Sequence, residues 1–260
     1  MHPCASPHDI VFTATAVAII PARYKSTRLP GKPLADIAGR PMIEHVYRRV
    51  QSVPGITRVL VATDDERIAS AVTAFGGEVQ MTSQAHPTGM DRLAEVASSL
   101  SDQFIVNVQG DEPLIDPTLV GSLIHTLRTT PEIDIVTART PIRDLEELLN
   151  PNVVKVTIDN KANAMYFSRA PIPYSRKDGA QSGVLGFKHI GLYGYRRESL
   201  MQLARSPRTP LERLEELEQL RALESDMRIR TIETRFAGIS VDTPDDLNHV
   251  RHLVSIGVNQ

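Results

Sequence analysis

The chain has 260 residues, 41% hydrophobic and 23% charged, a formal net charge of −2 and a lone cysteine, Cys4. This balance is that of a globular protein and excludes a disordered chain, a disulfide framework and a cysteine-based zinc site. The near-neutral charge argues against a nucleic-acid partner, and the uncharged stretch Ile10 to Ala22 is shorter than the roughly 20 residues of a membrane-spanning helix.

Residues 1–15 read as a disordered leader and residues 16–260 as one domain. Asp9 stands where a signal peptide carries positive charge, and sparse cysteine fits a reducing cytoplasm. Val17 to Ile20 is apolar at every position, the pattern of a strand buried on both faces. A helix is predicted to begin at Pro41, with Met42, Ile43, Val46, Tyr47 and Val50 on one stripe. Arg58 to Ala62 is the next strand, followed by a helix that Asp64 can cap and that Gly76 and Gly77 end. A weaker strand, Val79 to Thr82, precedes a helix through Leu93, Val96, Ala97 and Leu100, and Phe104 to Val108 is strand again. Asp116 and Pro117 open a further helix.

Between about 133 and 197 strand-like runs outnumber helices: Ile133 to Ala138, Val153 to Ile158, Ala164 to Ser168 and Phe187 to Tyr195. Asp159-Asn160-Lys161 reads as a hairpin turn and residues 178–186 as a mobile Gly-rich stretch. A helix is predicted from Leu211 to Leu223, and Thr243 to Asp246 has the spacing of a capping box opening a last helix. Strands alternating with amphipathic helices imply an α/β fold: a three-layer, Rossmann-like, mostly parallel sheet with a smaller β-rich subregion.

In such sheets ligands bind beyond the carboxyl ends of the strands. After the first strand, Arg23, Lys25, Arg28 and Lys32 stand in a loop broken by prolines and Gly31, which suits a polyanion. The loop is neither a P-loop nor a dinucleotide Gly-x-Gly-x-x-Gly, which removes the usual support for ATPase and NAD-dehydrogenase readings. Asp64 is equally an ordinary helix cap and a ligand contact. Asp111, immediately past a buried strand, suits magnesium, which takes one or two carboxylates and completes its sphere with phosphate and water. Asp242 is a second candidate, with helix capping as its competing role. His189, Gly191, Tyr193 and Tyr195 alternate onto one strand face, either a sugar pocket or packed rings. Glu218 either lines a partly buried surface or belongs to a solvated acidic run. His249 and His252 lack a third ligand at a recognisable spacing.

Seven blocks in register, Pro21 to Leu34, Val61 to Asp64, Asn107 to Pro113, Tyr166 to Ala170, His189 to Tyr195, Leu217 to Arg221 and Val241 to Pro244, resemble the 3-deoxy-manno-octulosonate cytidylyltransferase family. The resemblance runs from Val17 to about Leu253. It implies a fold of the nucleotide-diphospho-sugar transferase type and the conversion of CTP and Kdo (3-deoxy-D-manno-octulosonate) to CMP-Kdo and pyrophosphate. It further implies a magnesium-dependent, cytoplasmic homodimer that serves lipopolysaccharide biosynthesis and dimerises through the β-rich region.

By the same resemblance Arg23, Arg28 and Lys32 would hold the triphosphate, with Ala22, Ala62, Thr63, Asp64 and Gln109 near cytidine. Asp111 and Asp242 would be metal ligands, and Arg92, Gln109, Arg169, His189, Tyr193, Glu218 and Gln219 Kdo contacts. Arg23, Lys32, Asp111 and Asp242 would carry the chemistry. Met90 departs from the pattern, standing where the family usually has a small hydroxyl residue. Two rivals remain: a sugar-1-phosphate pyrophosphorylase, which would begin with a Gly-rich loop, and a nucleotide-binding module, which would need no second carboxylate.

Overall fold

The structure is a computed structural model and describes residues 15–25, 29–86, 88–176, 183–235 and 238–257. Nearly all of the expected leader, and most of the expected Gly-rich mobile stretch, lie outside those residues. Eleven strands are present in chain order with nine helices among the described residues. The first half runs β1 (Ala16–Ala22), β2 (Asp36–Ile37), β3 (Arg40–Pro41), α1 (Met42–Gln51), β4 (Ile56–Thr63), α2 (Glu66–Ala74), β5 (Glu78–Met81), α3 (Gly89–Ser98), β6 (Phe104–Asn107) and α4 (Pro117–Thr129). The second half runs β7 (Ile135–Ile142), α5 (Leu145–Leu149), β8 (Lys155–Ile158), β9 (Ala164–Ser168), β10 (Gly186–Arg196), α6 (Arg197–Arg205), α7 (Pro210–Glu215), α8 (Gln219–Glu224), β11 (Ile229–Glu233) and α9 (Pro244–Ser255).

Nine strands form one sheet, ordered β11-β7-β10-β6-β1-β4-β5, with β8 and β9 attached through β10. β1 is parallel to β4 and β6, and β4 to β5, so their carboxyl ends share one edge. Only β10 among the main-path strands runs antiparallel to its neighbours, β6 and β7. Apolar stripes of α1, α2 and α4 cover one face and those of α3, α6 and α8 the other, the expected three layers. A third cluster, with Ile37, Met42, Leu114, Val241 and Val250, pins α9 beside the β2–β3 hairpin.

Several local expectations are corrected. Pro41 precedes α1 as its N-cap. Asp65, not Asp64, caps α2 by accepting the Arg67 N–H at 3.0 Å. The helix expected over Leu211 to Leu223 is two helices, because Glu216 adopts the left-handed conformation with φ 53°. β2, β3, α5, α6 and β11 add to the elements that the sequence pattern suggests.

The broken helix is held by a buried ion pair. Arg221 donates to both Glu212 oxygens at 2.8 and 2.6 Å, with side-chain exposures of 4% and 0%. Burial alone would raise the Glu212 carboxyl, yet its bonds and ion pair with Arg221 prevail and hold it below the ordinary 4.5. A depressed carboxyl contributes stability above the unfolded value and loses it as the pH falls through the folded one. Glu212→Ala leaves the Arg221 charge buried and unpaired, so urea unfolding at pH 7 should show a loss of about 3–5 kcal/mol. That deficit should shrink below pH 4.5.

Candidate active site

The loop after β1 is closed at its base, where the Gly31 N–H donates to the Tyr24 carbonyl at 3.0 Å. Gly31 has φ +67°, and a Cβ there would lie 3.1 Å from the Tyr24 ring. The same ring meets the Arg67 guanidinium, 3.3 Å from the ring centroid and bound twice to Asp65. Lys32 follows at the start of a 3-10 turn, so its direction is set by this closure.

The Lys32 Nζ donates to Asp111 Oδ2 at 2.6 Å and to Asp242 Oδ1 at 3.2 Å. Burial pulls the lysine down, but the two carboxylates outweigh it and its pKa rises. Asp111 stands on the loop after β6, where Gly110 packs against β1. Asp242 is drawn to the same point by the Val241 N–H, which donates to the Asp111 carbonyl at 2.9 Å. Capping does not compete: Thr243 caps α9, and Asp246 reaches back to the Asp242 and Thr243 N–H groups at 3.0 and 2.8 Å.

Ala22, Arg23, Lys25, Lys32, Gln109, Asp111 and Asp242 share the wall of a cavity of about 440 Å³. Arg23 is exposed and donates to the carbonyls of His86 and Thr88 at 3.2 and 3.0 Å, tying the loop to the start of α3. Arg28 lies outside the described residues. A second cavity of about 300 Å³ adjoins the first at Pro21, Gly89 and Gln109. Its wall includes Met90, Asn107, Tyr193, Tyr195, Glu218 and Gln219. Gln109, on both walls, donates to the Gly191 carbonyl at 3.3 Å.

The remaining candidates lie outside these two linings. Ala62 and Thr63 are buried at the end of β4. Asp64 is bound to Arg92 at 3.0 Å, and Arg92, wholly buried, also donates to the Thr82 hydroxyl. Arg169 donates to the carbonyls of Glu215 and Pro151 at 2.8 and 3.1 Å. His189 is hydrogen-bonded to the Thr137 hydroxyl at 2.9 Å, its ring edge-on to Phe167 and against Tyr193. Burial pushes its pKa down to about 3, so it is a neutral ring behind Tyr193. Glu218 faces the cavity, and its burial there raises its carboxyl. Met90, 5% exposed, places its thioether side chain on the same wall.

Two residues carry signals that the motif reading left unassigned. Glu112 is buried beside Asp111 and is pushed up to about 7 by that burial, with the Asp111 charge adding to it. Asn107 is 8% exposed, and its side-chain oxygen has no hydrogen-bond partner among the described residues. Such an orphan costs about 1–3 kcal/mol, so a ligand donor there would recover it. Its sequence signal is a polar residue ending an otherwise apolar buried run.

A cytidylyltransferase family model matches residues 17–229. The chain is 54% identical over 241 residues to a 3-deoxy-manno-octulosonate cytidylyltransferase of Geobacter sulfurreducens, covering 90% of this chain and 96% of that one. It is 52% identical over 249 residues to the protein of the same name from Trichlorobacter lovleyi, covering 93% and 99%. A CMP:2-keto-3-deoxy-manno-octonic acid synthetase solved in complex with CTP superposes with a TM-score of 0.89 at 44% identity, covering 94% of this chain and all of the other. A cytidylyltransferase of Leptospira borgpetersenii, at 17% identity and a TM-score of 0.64, shares the fold.

The approach of Asp111 to β1 depends on a missing side chain. A Cβ on Gly110 would lie 2.9 Å from the Pro21 carbonyl, a backbone atom that cannot rotate aside. Gly110→Ala should therefore destabilise the chain by about 1–3 kcal/mol in urea unfolding, and an unchanged midpoint would show that β1 and this loop move apart freely.

Proposed function

The chain belongs to the 3-deoxy-manno-octulosonate cytidylyltransferase family and is a CTP-dependent nucleotidyltransferase acting on Kdo, and we propose that the two adjoining cavities divide the work, the cation-lined one taking the triphosphate and the other the sugar acid. The observation that carries this reading is the convergence of Lys32, Asp111 and Asp242 at 2.6 and 3.2 Å beside Arg23.

In the proposed reaction the anomeric hydroxyl of Kdo gives up its proton to water and attacks the α-phosphorus of CTP, the bond to the pyrophosphate oxygen breaks in line, and CMP-Kdo and pyrophosphate form without a covalent enzyme intermediate. Lys32 and Arg23 neutralise charge on the departing pyrophosphate. Gln109, on both walls, stands where the two substrates meet. Asp111 and Asp242 would hold magnesium; that they already share one ammonium supports their sharing of a divalent cation, since magnesium takes few protein carboxylates and fills its sphere with phosphate oxygens and water. When bound, the metal supplies Lewis acidity at the phosphate and makes the attacking hydroxyl more acidic.

A homodimer is part of the same proposal. It is supported by Leu145, Leu149, Met165 and Tyr174, large apolar side chains left exposed along the β-rich segment. A cytoplasmic location is supported by the chemistry, since CTP is made there, and among the described residues no helix is long and apolar enough to cross a membrane.

Pyrophosphate release should be seen with CTP and Kdo, and not with CTP and sugar 1-phosphates. Release only with the latter would assign the chain to pyrophosphorylase chemistry, and none with any sugar would leave a binding module. Asp111→Asn should retain the melting temperature to within a few degrees while turnover falls about 100- to 1000-fold, the usual cost of losing one preorganised charge stabiliser. Near-normal turnover of that variant at low magnesium would remove Asp111 from the chemistry.

A further inference from the structure

We infer that Asn107 is a further substrate-contact residue, whose side-chain carbonyl accepts a hydrogen bond from a hydroxyl of the sugar acid in the smaller cavity. The inference rests on the division of the two cavities proposed above and adds a residue that fixes the sugar within one of them.

Alternation along β6 decides where Asn107 faces. Phe104 and Val106 pack into the cluster under α1 and α4, whereas Ile105 packs under α3 and α6, so Asn107, two residues on, shares the Ile105 face. It is also the last residue of the strand, paired with Ile19 of β1 and Tyr193 of β10. A side chain there stands at the carboxyl edge of the sheet, between the loop that carries Lys32 and the ring of Tyr193.

Part of what surrounds it is apolar. Met90, Ile135, Leu203 and Leu217 supply cavity wall but no donor, and the Asn107 oxygen is left buried and unpartnered among the described residues. The other polar residues lining the same space are Gln109, Tyr193, Tyr195, Glu216, Glu218 and Gln219. No lysine or arginine lines this cavity among the described residues, so it suits the hydroxylated, uncharged part of a ligand rather than a phosphate chain. A buried acceptor that no described group reaches is open to a donor from a ligand, and a sugar hydroxyl provides one in a space of about 300 Å³.

The test compares the parent chain with Asn107→Ala and Asn107→Leu by steady-state pyrophosphate release, with CTP-induced thermal protection as the control for folding and nucleotide binding. In both variants the KM for Kdo should rise about 5- to 10-fold, the effect of one lost neutral hydrogen bond, while the KM for CTP and the thermal protection stay within about twofold. Leucine refills the volume that alanine vacates, so a packing defect would be repaired in Asn107→Leu and a lost hydrogen bond would not. Among Kdo analogues each lacking one hydroxyl, one should be handicapped in the parent and lose that handicap in both variants. An unchanged KM for Kdo, a rise confined to CTP, or full recovery in Asn107→Leu would overturn the assignment while leaving the proposed function standing. Absence of release by the parent would overturn both.

Discussion

One ammonium group organises the site. Lys32 lies between Asp111 and Asp242, and these three residues come from the loop after β1, the loop after β6 and the segment before α9. Two carboxylates drawn to one point repel each other, and a cation between them offsets part of that cost. The backbone enforces the same approach, since Val241 is hydrogen-bonded to the carbonyl of Asp111 and is itself buried in the cluster that seats α9. The two acids are therefore held together before a nucleotide arrives, and in the proposed reaction Lys32 leaves them to meet the pyrophosphate.

From that point two cavities open in different chemical characters. The one toward Arg23 and Lys25 is lined by cations, and the other, toward β10, by tyrosines, Asn107 and Glu218. The row on β10 has its own internal support: the neutral His189 packs between Phe167 and Tyr193, and Tyr193 stacks on Tyr195 with ring centroids 5.7 Å apart. The far wall is carried by the break between α7 and α8, which the Glu212–Arg221 pair holds shut. Under the proposed division of the cavities, a rigid frame on both sides would let side chains at the shared rim, Gln109 above all, set the distance between the two ligands.

Much of this was legible in the residues. β1 and the inner stretches of β4 and β6, Val59 to Ala62 and Phe104 to Val106, are apolar because both faces are covered, and such runs read as strands. β11 escaped notice because only Ile229 and Thr231 are well buried, while Arg230 and Glu233 on this edge strand imitate a loop. The α7–α8 break is equally silent, since leucines continue across it and Glu216 is not a residue that announces a left-handed turn. Of the two roles the sequence offers Asp64, the fold removes the cap, because Asp65 caps α2 while Asp64 pairs with the buried Arg92.

Residue order alone determined the alternation of strand and helix, the basic turn after β1 and the acid following β6, because periodicity and local composition act within a few residues along the chain. Folding decided which of these groups meet. Asp242 stands 131 positions after Asp111 and joins it only because the third apolar cluster buries Val241 there. Asn107 stands out only in the fold, where its side-chain oxygen is buried with no partner among the described residues. Short-range patterns specify backbone, whereas the pairing of charges and the orphaning of polar atoms depend on burial, a property of the assembled tertiary structure.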